Sequence, residues 1–350
     1  MRILVIGGTG FIGPPLIRDL ARHGHSIAVF HRGRSNADLP GVEHILGDRR
    51  DLANLRPIAD VVIDLILSSA RQAQELMQTF RGVARRIVVA SSCDVYRACN
   101  VLHGTDQGPL EPTPLTEDSA LRTQPAYPPE VLEKLRAMVP WADDEYDKIP
   151  VERTVLGDPE LPGTVLRLPM IYGPGDYVHR MHPVLQRIDD GRRAIIYEEG
   201  HAAWIAPRGY VENVAAAIAL ATLDDRAAGR IYNVAETPAF TELAWTGKIA
   251  EAASWTGDIG VLPRERTPKH LMFAGNAAQH WEVDSSRIRR ELGFREPVAI
   301  EEGIRRTIAW ERAHPPGEFN PHPFDYTAED AALFDGHRDA GLAVVDAAER

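Results

Sequence analysis

Apolar residues along the first half of the chain fall in short runs separated by amphipathic stretches. Runs over 2–6, 26–30, 43–46, 61–67 and 86–90 read as five short strands. The 61–67 run is almost uninterruptedly apolar, as a strand covered on both faces must be. Helical spacing over 11–22 and 71–80 fills two of the gaps, and this alternation predicts a parallel sheet with right-handed crossovers. A sixth strand is expected over 165–169 and a last one over 229–234, with helices over 214–223 and around 300–314. Residues 97–145, rich in proline and polar side chains, read as a loop carrying one helix over 129–138.

The first strand runs directly into Gly7-Gly8-Thr9-Gly10-Phe11-Ile12-Gly13. Glycines here let the chain turn sharply, let its backbone approach a ligand, and let the following helix lie close on the sheet. Pro14 and Pro15 suit a first helical turn, whose N–H groups have no intrahelical partner to lose. A strand, tight turn and helix N-terminus aim unpaired amides and a positive dipole end at one point, which is a site for a pyrophosphate. Gly7, Thr9, Gly10, Phe11, Ile12 and Gly13 are therefore the candidate dinucleotide-binding residues.

Composition narrows the class further. The 350 residues are 44% hydrophobic and 25% charged, an ordinary globular balance, and allow one large α/β domain with a smaller lobe, or two domains. A formal charge of −11 argues against a nucleic-acid partner. The apolar run 214–223 is too short to span a membrane. The N-terminal apolar run has no charged leader or cleavage site and reads as a strand, not a signal peptide. Cys93 and Cys99 are the only cysteines, with no Cys-x-x-Cys and no His-rich spacing. A cytoplasmic, metal-free protein is expected.

At the end of the second strand, an acidic residue would bind a ribose 2′-hydroxyl and an arginine a 2′-phosphate. His31-Arg32-Gly33-Arg34-Ser35 stands there, with no carboxylate before Asp38. NADP is accordingly expected through Arg32, supported by Arg34 and Ser35, with NAD the second choice. The bland alternative is a solvated basic loop.

The Gly-x-x-Gly-x-x-Gly spacing resembles the extended short-chain dehydrogenase/reductase family, also called the NAD-dependent epimerase/dehydratase family. Further motifs extend the resemblance over about residues 1 to 310. Ser91-Ser92-Cys93-Asp94-Val95-Tyr96 is similar to the family's Ser-Ser-x-x-Val-Tyr, which implies that Ser92 hydrogen-bonds the reacting oxygen of the substrate. The alternative is that both serines close a turn. Asp48 lies where relatives contact adenine, although it is equally well placed to cap a short helix. Arg167-Leu168-Pro169-Met170-Ile171-Tyr172-Gly173-Pro174-Gly175 and Tyr210-Val211-Glu212-Asn213-Val214 match later motifs, with Met170 and Asn213 replacing the usual asparagine and aspartate.

The family's Tyr-x-x-x-Lys, followed four residues on by Glu, is only partly kept. Aligned on Glu152, the ribose-binding lysine is Lys148 and the tyrosine position holds Asp144. Tyr146 lies two residues before Lys148, and Pro150 predicts that regular helix begins near Asp147, which frees Tyr146 from helical geometry. Three readings follow: Tyr146 is a displaced acid/base, a carboxylate such as Asp144 takes its place, or catalysis is lost.

The resemblance implies a doubly wound Rossmann fold. Residues 1–168, completed by about 205–235, would bind the dinucleotide; 169–314 would form mainly a smaller C-terminal substrate lobe, and 315–350 a tail. The implied activity is that of an NAD(P)-dependent oxidoreductase, epimerase or dehydratase on a hydroxyl- or carbonyl-bearing small molecule, with a sugar nucleotide as one candidate, and a homodimer is allowed. Ser92, Tyr146 and Lys148 are the candidate catalytic residues. The alternative is a non-catalytic dinucleotide sensor or RNA-binding protein on the same fold.

Overall fold

The computed structural model describes residues 1–34, 39–55, 59–127, 133 and 145–317, together with 324–338 and 343–345. Ser35, Asp38 and Asp144 lie outside the described residues, as does the helix expected over 129–138 apart from Glu133.

Seven parallel strands form the central sheet in the order β10-β6-β5-β4-β1-β2-β3. They are β1 (Arg2–Ile6), β2 (Ser26–His31), β3 (Glu43–Leu46), β4 (Val61–Asp64), β5 (Arg86–Ser92), β6 (Gly163–Leu168) and β10 (Ile231–Asn233). The order reverses between β1 and β4, and ligands of such sheets bind beyond the carboxyl ends of the strands at that point. Apolar layers cover both faces. Leu16, Ile17 and Leu20 of α1 (Gly13–Arg22) pack with Val214 and Ile218 of the helix Val211–Leu223 on one side. Leu76, Met77 and Phe80 of α2 (Ala70–Phe80) pack with Val151 and Val155 of the helix Lys148–Leu156 on the other. Buried on both faces, β4 and β6 need no polar alternation.

Local boundaries differ from the apolar pattern where side chains intervene. The first helix opens at Gly13, not residue 11, because Pro14 and Pro15 occupy its first turn and Ile12 is its N-cap. The fourth strand stops at Asp64, whose Oδ1 accepts from the Ile66 amide at 3.0 Å and turns the chain out of the sheet. A helix, Arg97–Leu102, occupies the start of the stretch expected to be a loop.

Beyond β6 the chain builds a second, smaller body. It contains a two-stranded pair, β7 (Met170–Tyr172) with β9 (Arg208–Tyr210), and a three-stranded sheet in the order β12-β11-β8. The last is made by β8 (Ala194–Glu198), β11 (Asp258–Leu262) and β12 (Ala343–Val345). The helix Tyr326–Arg338 docks here through Glu329, which is buried against Arg187 and His270. Among the described residues no helix is long and apolar enough to cross a membrane.

Candidate active site

Each glycine of the β1–α1 turn has its own reason. Gly7 has φ +79°, and a Cβ on it would stand 2.6 Å from Ile66 Cγ2. A Cβ on Gly13 would lie 2.0 Å from the Gly8 carbonyl oxygen, so only glycine lets α1 start against the strand. Gly10 is different: a Cβ there would meet only the Gly7 oxygen, at 3.7 Å. No protein atom accounts for that glycine, and it is exposed above the end of β1. The cradle suits a group approaching from outside, and α1 has no side-chain cap to compete for that position. Phe11 stands edge-on to Tyr177 at 6.3 Å, which brings the 173–182 segment of the lobe against the turn.

Arg32 is exposed at the end of β2. Asp48 caps the short helix after β3 by accepting from the Arg50 amide at 2.9 Å, and its carboxylate also takes the Arg50 guanidinium. Those bonds to Arg50 first, with the charge of Arg32 a smaller contribution, pull its pKa down to about 2. Of the two roles that the sequence allows Asp48, the helix cap is the one its hydrogen bonds make.

At the carboxyl end of β5 the two serines separate in function. Ser91 donates to Glu152 Oε1 at 2.5 Å and is held in the core, whereas Ser92 accepts from the Asp94 amide at 3.2 Å and lines the main cavity. Tyr146 donates its hydroxyl to Asp94 Oδ2 at 2.8 Å. Asp94 thus joins Ser92, through its amide, to Tyr146, through its carboxylate. Burial raises the Asp94 carboxyl pKa, opposed by the nearby charges of Arg122 and Lys148, and Oδ1 is buried with no hydrogen-bond partner among the described residues. Burial, and then the charge of Asp94, also hold the Tyr146 phenol well above its ordinary value, so it stays protonated.

Lys148 opens its helix, with Asp147 as the N-cap. It is 3% exposed, and its ammonium donates to the carbonyls of Leu67, past the end of β4, and of Ala90 within β5, with its Nζ 5.8 Å from the Tyr146 ring centroid. Burial pulls its pKa down to about 8 from 10.5, against Asp94 and Asp64, which favour the charge. Between these values the unfolded chain binds a proton that the folded chain has released, so this lysine's contribution to stability rises with pH across that window. Wild type is expected to gain on the order of 2 to 3 kcal/mol over Lys148→Met between pH 7 and pH 10, read from urea midpoints. Parallel pH profiles for the two proteins would exclude a depressed lysine pKa.

Ser92 opens onto a cavity of ≈ 710 Å³ between the sheet edge and the lobe, walled by Met170, Tyr172, Trp204, Trp245 and Trp281 among others. A cavity of this size, mostly apolar with a few polar groups, is typical of small-molecule sites. Sequence motifs pointed to Ser92 but not to Asp94, Arg122 or the three tryptophans. The available signal for Asp94 was an aspartate two residues past the end of β5, within the Ser91–Tyr96 motif. Arg122 reaches the site through Asp94 O and Asp147 Oδ1, a pairing across 25 and 28 residues that no local pattern encodes.

With this geometry in place, comparisons with known proteins bear on identity. The chain is 28% identical over 248 residues to 2′-dehydrokanamycin reductase of Streptomyces kanamyceticus, which covers 67% of the chain and 62% of that protein. It is 23% identical to the chloroplast stem-loop binding protein of 41 kDa b of Arabidopsis thaliana, covering 95% of the chain and 84% of that protein. The fold matches that of the UDP-glucuronic acid 4-epimerase of Bacillus cereus, solved with UDP-glucuronic acid and NAD, with a TM-score of 0.63 and 16% identity. That match covers 89% of this chain and 99% of the epimerase. The model of the NAD-dependent epimerase/dehydratase family matches residues 3–235, more than half of the chain, and the protein belongs to that family.

Proposed function

We propose that this protein is an NAD(P)-dependent oxidoreductase that acts on a hydroxyl- or carbonyl-bearing carbon of a small molecule. The observation that carries this reading is the convergence of the glycine turn, Lys148 and the Ser92–Asp94–Tyr146 set at one edge of the sheet, beside a substrate-sized cavity. The bound dinucleotide would supply or accept a hydride. Gly7, Thr9, Gly10, Phe11, Ile12 and Gly13 would hold its pyrophosphate, Asp48 would sit near the adenine, and Lys148 would bind the nicotinamide ribose. Ser92 would fix the reacting oxygen, and Tyr146 would give it a proton. A phenol kept protonated by burial and by Asp94 suits proton donation, and hence carbonyl reduction, better than removal of a proton from an alcohol. Lys148→Ala weakens cofactor binding on this reading whether or not turnover occurs.

NADP is the preferred cofactor on the same reading, because the residues that follow β2 directly, Arg32 to Arg34, carry two arginines and no carboxylate. Arg32→Ala is expected to cost about 1.5 to 3 kcal/mol in NADPH affinity and to leave NADH unaffected. Fluorescence titration of both cofactors decides it, and equal affinities of wild type for the two would end the proposal.

A second reading is a dinucleotide-binding protein without catalysis, either a sensor or an RNA-binding module. It draws on the aspartate at position 144 and on the likeness to the stem-loop binding protein. The net charge of −11 weighs against its RNA version.

A further inference from the structure

The cavity beside Ser92 has charged residues in its wall, and every guanidinium among its described lining is already neutralised. Arg180 pairs with Asp176 at 2.7 Å, Arg187 with Glu329 at 2.5 Å, and Arg208 with Glu242. Each also donates to a backbone carbonyl, respectively of Ile171, Pro183 and Phe240. Asp176 and Glu329 are each 1% exposed. Turning their arginines toward a diphosphate would break an ion pair with a buried carboxylate in each case, leaving Glu329 to His270 and Asp176 to backbone amides, a loss that the new contact must first offset. His103 and His201 add no charge, since burial lowers both their pKa values.

Four of the aromatic wall residues are closed off in the same way. Trp204 and Trp281 spend their indole N–H groups on the carbonyls of Gln279 and Cys93, at 2.9 and 3.1 Å. Tyr172 donates its hydroxyl to Glu236, and the Tyr197 hydroxyl pairs with Thr246 at 2.7 Å. With their polar ends occupied, these side chains leave apolar ring surface as what they can offer a ligand. Met170 continues that surface next to β6.

We infer that this cavity takes an uncharged, predominantly apolar ketone or the corresponding alcohol, and that it excludes nucleoside-diphosphate sugars. The inference rests on the oxidoreductase reading for the reacting group and on the charge balance and wall chemistry for the rest of the molecule. Calorimetric titration of the full chain, saturated with NADP⁺, with methyl ketones from 2-butanone to 2-decanone reads the cavity directly. Affinity is expected to rise about three- to fourfold per added methylene, and UDP-glucose is expected to give no binding and no competition. Met170→Arg, or Val184→Trp if that variant does not fold, is expected to flatten the series. A flat series for wild type, or UDP-glucose displacing 2-decanone, overturns the inference. Turnover is scored separately as NADPH consumption. Chain-length-dependent binding without turnover upholds this cavity and rejects the oxidoreductase reading, whereas turnover of small polar ketones with a flat binding series rejects the cavity alone.

Discussion

Tyr146→Phe is expected to slow single-turnover hydride transfer by about 10²- to 10⁴-fold, the usual worth of a general acid, while cofactor affinity stays within about twofold. The variant removes one oxygen, and with it the bond that Tyr146 donates to Asp94. Lys148 keeps its two carbonyl partners, so the proposed ribose site is undisturbed. Asp94→Asn distinguishes two roles for that carboxylate. If Asp94 returns a proton to Tyr146 after each turnover, the asparagine slows steady-state turnover more than the first turnover. If it only orients the phenol, both fall together. Loss of nicotinamide absorbance, followed in a stopped-flow instrument, measures both. An unchanged rate in Tyr146→Phe with a large loss in Asp144→Asn would transfer the role to Asp144, and absence of hydride transfer to any carbonyl class would favour the non-catalytic reading.

How far the chain announces this arrangement depends on sequence distance. The strand, glycine turn and helix at the N-terminus are legible because one local run of residues makes all three, and Gly7 and Gly13 each meet a separate constraint. The β5 end is legible for the same reason, and so is the start of a helix near Asp147. Asp94 and Tyr146 meet across 52 residues, and nothing in the spacing of either predicts the other. The cavity is less legible still: its wall draws on residues from Ser92 to Trp281, and its apolar members, such as Trp204 and Trp245, read locally as ordinary core. Two of the neutralising pairs are also long-range, Glu242 lying 34 residues from Arg208 and Glu329 reaching Arg187 from a tail helix 142 residues away. A tail with no reading of its own thus supplies the carboxylate that silences a cavity arginine. Overshoot occurs where apolar character continues past the end of an element, as after Asp64, since a polar side chain that ends a strand leaves the hydrophobic run intact.

Arg167→Met is expected to destabilise the fold by about 3 to 5 kcal/mol, the cost of leaving one member of a buried ion pair alone. Arg167 is 1% exposed and meets both carboxylate oxygens of Glu152, with Nε at 3.1 Å from Oε1 and Nη2 at 2.7 Å from Oε2. Burial disfavours its charge, but the hydrogen bonds and charge of Glu152 more than offset that, and its pKa is raised. Its remaining N–H groups go to Tyr96 Oη at 3.1 Å and the Glu117 carbonyl at 3.0 Å, while Tyr96 donates onward to Asn233 of β10 at 2.5 Å. One guanidinium therefore ties β6, β10 and the helix that begins with Lys148. Glu152 lies one helical turn after Lys148, so this pair sets where the lysine stands. Urea unfolding of Arg167→Met, Glu152→Leu and the double variant separates charge from packing. The double variant is expected to recover most of the lost stability, because both desolvated charges leave together. If it also recovers cofactor affinity, packing alone positions Lys148. If stability returns without affinity, the ion pair is a positioning device for the lysine; stability losses that simply add would show that the two residues act independently.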